Sequence, residues 1–122
     1  MEDIAQKIWK ALGPGYSERV YHNAFEVELR QRNVSYETER IIPIYYQGHN
    51  VGNIRADLIV DGDTVVELKS VSRLNDQFRI QIQNYMKLLD VPKGYLINFP
   101  LGTSEVPEIE LIFSTRSLPG NS

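Results

Sequence analysis

Residues 54–69, with the sequence IRADLIVDGDTVVELK, decide the fold of this chain. Two runs rich in β-branched residues flank a cluster of aspartate and glycine, which predicts two antiparallel strands joined by a tight turn. Side chains alternate between the two faces of a strand. The alternation predicts one apolar face, formed in the first strand by Ile54, Ala56, Leu58 and Val60. Asp57, Glu67 and Lys69 would all point from the opposite face.

The length of the turn sets which residues of the two strands face each other. With a three-residue loop, Leu58 lies opposite Val66 and both enter the core. A two-residue loop would place Asp57 and Glu67 on opposite faces, because a one-residue slip inverts every side chain. The favoured register puts these two carboxylates side by side, with roughly 5 Å between their Cβ atoms. Neighbouring like charges destabilise a sheet, so we expect a compensating partner, a divalent cation with Lys69 beside it.

Composition limits the class of protein. The 122 residues suffice for one domain, which we place at 1–115, followed by a flexible tail at 116–122. Hydrophobic residues make up 42% of the chain, and no apolar run approaches the ~18 residues of a membrane span. The charged amphipathic N-terminus is unlike a signal peptide, and the absence of cysteine removes disulfides and thiolate chemistry, so we expect a cytoplasmic protein. The net charge of −3 argues against coating of nucleic acid through bulk positive charge.

Helices are expected before and within the set of strands. Hydrophobic periodicity and turn residues predict helices at 3–12, 18–33 and 77–90 and strands at 36–46, 54–60, 64–69, 94–99 and 108–114. The helix between the third and fourth strands predicts a crossover connection, and therefore a mixed sheet covered by helices.

Several residues have expected positions in these elements. Ser17 and Asp76 would cap the second and third helices. Pro43 belongs at a sheet edge, because it cannot donate a ladder hydrogen bond. His22 and His49 are expected at the surface. The second helix is expected to bury Val20, Ala24, Val27 and Leu29.

Five short motifs follow one another along the chain. They are GYSERVY at 15–21, RADL at 55–58, VELK at 66–69, QIQNY at 81–85 and LINF at 96–99. In this order they resemble the GxxExxY family, small proteins of the PD-(D/E)XK nuclease superfamily, over roughly residues 4–100. The resemblance implies an α/β fold of the restriction-endonuclease-like kind, with an αβββαβ core and a mixed central sheet flanked by helices.

The resemblance also implies a metal-dependent nuclease site. Asp57 and Glu67 match the metal-binding carboxylates and Lys69 matches the lysine of the Glu-x-Lys motif, whereas Ala56 replaces the name-giving proline. Mg²⁺ or Mn²⁺ would be held by the two carboxylates and the backbone carbonyl of Leu68, with several waters. Such a cation supplies an oxygen nucleophile and neutralises phosphate charge. Lys69 would orient the attacking water or stabilise developing charge.

Further candidates come from the helices. Glu18 matches the helical glutamate of the superfamily, although by spacing alone it would only complement the helix dipole. Gln81 and Tyr85 share a helix face and match the Q-x-x-x-Y motif, so they would brace the site or contact phosphate; the alternative is the polar edge of an amphipathic helix. Candidate phosphate ligands, or otherwise solvated surface residues, are Arg55, Arg73 and Arg79.

Functions from different classes fit this sequence. The favoured one is a Mg²⁺-dependent nuclease acting on nucleic acid, with DNA preferred to RNA. A homodimer is expected, because one core offers little surface to grip a duplex. The alternative is a catalytically silent binding or regulatory domain that retains the nuclease fold, in which Glu67 and Lys69 would form an exposed charge ladder. A second enzymatic alternative is hydrolysis of a small phosphodiester.

Overall fold

The computed structural model describes residues 1–102 and 105–114, so the predicted tail at 116–122 lies outside the described residues. The described part of the chain follows the predicted order of elements. These elements are α1 (Glu2–Leu12), α2 (Glu18–Gln31), β1 (Tyr36–Tyr46), β2 (His49–Val60), β3 (Thr64–Lys69), α3 (Asp76–Leu89), β4 (Lys93–Asn98) and β5 (Glu108–Phe113).

The strands form one five-stranded mixed sheet in the order β1-β2-β3-β4-β5. β3 and β4 are parallel because α3 connects them, and the other neighbours are antiparallel. Pro43 lies in β1, an edge strand, as predicted. The architecture confirms the predicted class, a mixed sheet flanked by helices, and is consistent with a restriction-endonuclease-like fold.

Two buried clusters lie on opposite sides of the sheet. The first joins α1 and α2 to the sheet and contains Ile4, Ala5, Ile8, Tyr21, Phe25, Leu29, Leu58, Val60, Val66, Leu68, Ile97 and Phe99. The second joins α3 to the sheet and contains Ile42, Ala56, Ile59, Val65, Leu74, Ile82, Tyr85, Met86, Val91 and Leu96. The strict alternation of Val65 and Val66 between the two clusters shows why the central strand reads as continuously apolar.

The central hairpin has the predicted register. Leu58 pairs with Val66 and Val60 with Thr64. The loop is closed by left-handed backbone at Asp61 (φ 54°) and Gly62 (φ 70°), residue types that tolerate this conformation. β2 begins at His49, five residues earlier than the predicted strand, because the turn from β1 needs only Gln47 and Gly48, both at positive φ.

The prediction of faces along β2 was wrong in one respect. Ile54 and Ala56, both predicted on the face of Leu58, lie on the side of α3, whereas Leu58 packs against α1 and α2. The alternation therefore changes phase next to Asp57. The facing residue of β1, Glu39, has a positive φ of 54°, so the backbone of β1 is irregular at this point.

Three local predictions are corrected by the structure. Asn75, not Asp76, caps α3: its backbone is extended and its side chain accepts a hydrogen bond from the Phe78 N–H at 3.3 Å. Val27 is exposed, because the buried stripe of α2 follows Tyr21, Phe25 and Leu29 instead. His22 lies on this stripe and is buried, with 3% exposure, rather than at the surface.

α3 packs closely against β4 at Gly94. A Cβ atom at this position would lie 2.9 Å from Ile82 Cδ1 and 2.9 Å from Met86 Sδ. Glycine allows this approach without a shift of the Ile82 and Met86 side chains. The close packing of α3 on β4 helps to position the α3 residues that face β3.

Candidate active site

The candidate site lies where β2 and β3 stop pairing through their backbones. The regular ladder ends at Leu58 and Val66. One residue further, the Asp57 N–H donates to Glu67 Oε1 at 2.9 Å and the Leu68 N–H donates to Asp57 Oδ2 at 2.8 Å. Each carboxylate is therefore oriented by a backbone N–H of the opposite strand. This arrangement brings the two acids together, as the register predicted, and uses their side chains in place of ladder hydrogen bonds.

Glu67 is the most deeply placed acid of the site, with only 2% of its surface exposed. Burial raises its pKa well above the usual range, and the nearby Asp57 carboxylate raises it further, while Lys69 offsets part of this effect. Among residues 1–102 and 105–114, no lysine or arginine forms an ion pair with Glu67. The alternative of an exposed charge ladder does not fit a buried glutamate.

Lys69 is held beside the acids by two residues of α3. Its Nζ donates to Gln81 Oε1 at 3.2 Å and lies 5.0 Å from the centroid of the Phe78 ring. A cation over an aromatic face is stabilised electrostatically. The amide and the ring together fix the ammonium group, so Gln81 acts on the site through Lys69.

Tyr85 lies one helical turn beyond Gln81 and is 4% exposed. Burial raises its pKa to about 12, and the charges of Glu67, Asp57 and Glu18 act in the same direction. The side chain thus lies within electrostatic range of the three acids, and its hydroxyl group stays protonated at neutral pH. The alternative of a merely polar helix edge does not fit a buried tyrosine.

Glu18 is the first residue of α2, and taken over all its atoms it is exposed to solvent. Local burial of its carboxyl group raises its pKa, followed by the Asp57 carboxylate, while Lys69 lowers it. The third acid thus lies within electrostatic range of Asp57 and Lys69 instead of facing distant solvent. α2 brings it there, because the helix begins directly after the loop that carries Ser17.

The structure does not gather the three candidate arginines around these acids. The Arg79 guanidinium donates to Glu110 at 2.7 Å through two nitrogens and to Asp76 at 2.7 Å. Arg55 is exposed. The hydrogen bond from Arg19 lowers the pKa of Glu39, and the charge of Arg55 lowers it further. Arg73 is exposed on the connection before α3. Their proposed contacts with phosphate stay predictions.

The donor set suits a hard cation. Backbone N–H groups engage one oxygen of each carboxylate, Asp57 Oδ2 and Glu67 Oε1. The second oxygens, Asp57 Oδ1 and Glu67 Oε2, receive no hydrogen bond from an N–H of the described residues. A buried carboxylate beside a partly buried one, neither of them in an ion pair within the described residues, fits a divalent ion that retains several waters. In the part of the chain that the structure describes, no three His, Asp or Glu side chains are already gathered as a ligand cluster.

Sequence reasoning missed a supporting network behind Asp57. His22 Nε2 lies 2.9 Å from Thr38 Oγ1 and 2.9 Å from Glu26 Oε2, and Thr38 Oγ1 donates to the Asp57 carbonyl at 3.4 Å. The network ties α2 to the irregular part of β2. The spacing of Glu18, His22 and Glu26, four residues apart on one helix face, was the available signal.

Asn98 was also missed as a structural residue. It is fully buried, its Oδ1 accepts from the Val71 N–H and its Nδ2 donates to the Val71 carbonyl, both at 2.9 Å. Nδ2 also lies 2.9 Å from Glu108 Oε1. These bonds hold the connection that follows Lys69.

The fold and the paired acids define a PD-(D/E)XK-type domain. The family model PDDEXK_3, described as PD-(D/E)XK nuclease superfamily, matches residues 1–110. The chain therefore belongs to the PD-(D/E)XK nuclease superfamily.

Solved structures agree at the level of the fold, and four chains match. One of them, titled "Crystal structure of SSO0001", is 24% identical with a TM-score of 0.61, and the match covers 79% of this chain. The match covers 49% of that chain, so the present protein spans about half its length. No curated protein matches. Among the described residues, no helix is long and apolar enough to cross a membrane.

Proposed function

We propose that this protein is a divalent-metal-dependent nuclease that hydrolyses phosphodiester bonds, with DNA as the favoured substrate and Mg²⁺ or Mn²⁺ as the metal. The observation that carries the proposal is the pair of Asp57 and Glu67, each oriented by a backbone N–H of the opposite strand and close to the ammonium group of Lys69. Membership of the superfamily supports the same reaction class. The GxxExxY motif of residues 15–21 supports assignment to that family within it.

Each residue of the site has a proposed role. Asp57, Glu67 and the Leu68 carbonyl would hold the metal, which when bound supplies an activated water and neutralises charge on the phosphate. Lys69, fixed by Gln81, provides a cationic hydrogen-bond donor for the charge that develops on the phosphate oxygens. Glu18 adds a third acid at the edge of the site.

The main alternative is a catalytically silent domain that binds a partner through the same fold. It is favoured by the absence of a ready-made group of three acidic or histidine ligands among the described residues. The two functions differ in whether a phosphodiester bond is broken and in whether Asp57 and Lys69 matter for that step.

The test is cleavage of labelled single-stranded DNA, duplex DNA and RNA with Mg²⁺, Mn²⁺ or EDTA. We expect cleavage only with metal, and a loss of about 10²–10³-fold or more in Asp57→Ala and Lys69→Ala, because each removes a charge aimed at the reacting phosphate. Lys10→Ala removes an exposed lysine of α1 and is the matched control with wild-type activity. Metal should also raise the melting temperature of wild type and not of Asp57→Ala.

Cleavage that survives both Asp57→Ala and Lys69→Ala would contradict the proposed site. Absence of cleavage on every polymer, together with no thermal shift by metal, would favour the silent domain. Turnover of a chromogenic phosphodiester without cleavage of any polymer would instead identify a small-molecule phosphodiesterase.

A further inference from the structure

A cleft of about 300 Å³ opens between α3 and the strands β1 and β2. Apolar side chains of β1, β2 and α3 line it together with polar groups of α3. The lining residues used below are Ile44, Ile54, Gln81, Asn84, Tyr85 and Leu88. This volume is at the lower end of the range for ligand sites, so it suits a compact planar group.

The cleft and the candidate active site share one wall. Gln81 and Tyr85 line the cleft, yet Gln81 Oε1 accepts from Lys69, and Tyr85 lies close enough to Glu67 and Asp57 to feel their charges. A chain whose phosphate lies at these acids would therefore bring its adjoining group to the mouth of the cleft.

The polar groups of the wall are available for a ligand. Within residues 1–102 and 105–114, the Gln81 amide nitrogen, the Asn84 amide and the Tyr85 hydroxyl make no hydrogen bond. Amide and hydroxyl groups offer both donors and acceptors, which suits the edge of a heterocyclic base. Ile54 is partly buried against the α3 cluster, so the apolar wall next to them is preformed.

We propose that this cleft holds one unpaired nucleobase adjoining the scissile phosphate, so that the protein acts on single-stranded or unwound nucleic acid. The inference rests on the proposed nuclease function and deepens it. A base inside a duplex is stacked on both faces and paired along its edge, so it cannot enter a cleft. An unstacked base places its faces against the apolar walls and its edge toward the amides.

The experiment uses the full chain and synthetic oligonucleotides. One abasic position is moved along a single-stranded substrate, and the rate of cleavage at each phosphate is measured. We expect one abasic position, next to the scissile phosphate, to reduce kcat/KM about tenfold, the effect of losing one stacked base. Single strands should be cleaved faster than the same sequence as a duplex.

A protein variant provides the second arm. Leu88→Trp would fill the cleft and is expected to reduce kcat/KM on the intact single strand about tenfold and to remove the effect of the abasic position. Leu111→Trp, on β5, is the matched control, because Leu111 is 42% and Leu88 45% exposed. Far-ultraviolet circular dichroism verifies that both variants are folded.

The outcomes separate the two proposals. Cleavage with no sensitivity to any abasic position, or faster cleavage of duplex than of single strands, would overturn the cleft as a base site and leave the nuclease proposal intact. No metal-dependent cleavage of any polymer would overturn both. The abasic arm decides the inference even if Leu88→Trp fails to fold.

Discussion

Glu67 and Glu28 are both buried glutamates, but their electrostatic surroundings are opposite. Glu28 forms ion pairs with Lys7 at 3.2 Å and Arg32 at 3.3 Å. Glu67 lies beside a second acid, and burial together with Asp57 raises its pKa. A group with a raised folded pKa destabilises the fold when it is ionised. Ionised Glu67 therefore lowers the stability of the fold when no cation is bound, as expected for a group that needs a cation.

Replacement of each glutamate by glutamine should have opposite effects. In EDTA at pH 8, we expect Glu67→Gln to raise the free energy of unfolding by about 1 kcal/mol and Glu28→Gln to lower it by about 1 kcal/mol. Denaturation by urea measures both. The gain for Glu67→Gln should shrink as the pH falls towards the ordinary glutamate pKa, because folded wild type then takes up the proton. A destabilised Glu67→Gln would contradict an uncompensated buried charge.

At the scale of elements, the site depends on how α3 is fixed to the sheet. Gly94 allows the Ile82 and Met86 side chains of α3 to pack closely on β4. Arg79 fixes the first turn of α3 to β5 by a double hydrogen bond with Glu110. Because Gln81 and Tyr85 follow directly on the same helix, these contacts determine where Lys69 and the cleft wall lie. Arg79, a candidate phosphate ligand by sequence spacing, makes a structural contact here.

The ion pair between Arg79 and Glu110 should give a pH-dependent stability. The Arg79 hydrogen bonds hold the pKa of Glu110 below its usual range. The stabilisation is therefore complete above the unfolded pKa, roughly 4.3, and is lost as the pH falls through the lower folded pKa. We expect Glu110→Gln to cost about 1 kcal/mol at pH 7 and much less at pH 3.5 by chemical denaturation.

The control for this prediction is Glu37→Gln. Glu37 contacts Arg40 at 3.3 Å within β1, with more than half of both side chains exposed (60% and 54%). Such a pair contributes little in water, so the variant should match wild type at both pH values. An equal loss of stability in the two variants would show that Glu110 acts through surface charge alone.

At the scale of the whole molecule, the β1 edge of the sheet exposes several apolar side chains. β1 is an edge strand of 11 residues and forms a hairpin with β2. The exposed apolar side chains of this hairpin are Ile41, Tyr45 and Tyr46 on β1 and Val51 on β2. A long unpaired edge with exposed apolar groups favours association. The homodimer stays a prediction, and this surface is the one through which we expect it to form.

We expect multi-angle light scattering to report a dimer at high protein concentration. Replacement of Tyr45 and Tyr46 by lysine should shift the molecule towards the monomer, because charged side chains block edge pairing. Leu111→Lys, on the other edge strand, is the control and should leave the mass unchanged. A wild-type monomer at every concentration would refute the dimer.

The sequence by itself determined the order of elements, the register of the central hairpin and the pairing of Asp57 with Glu67. These features follow from local rules: β-branched runs, the length of a turn and the period of two along a strand. The positions of helix caps and the buried stripe of α2 were less well predicted. Asn75 and Asp76 are both suitable cap residues, and only the tertiary fold decides at which of them the helix begins.

Only the tertiary structure decided the rest of the site. The phase change at Asp57, the burial of His22 and the engagement of Arg79 by Glu110 arise from contacts between distant segments. The cleft beside Gln81 has the same origin, because it exists only where α3 passes over β1 and β2. A periodicity along one segment carries no information on which charge or cavity another segment places next to it. Local rules along the chain therefore determine that Asp57 and Glu67 are neighbours, and tertiary packing determines which residues and which cleft surround them.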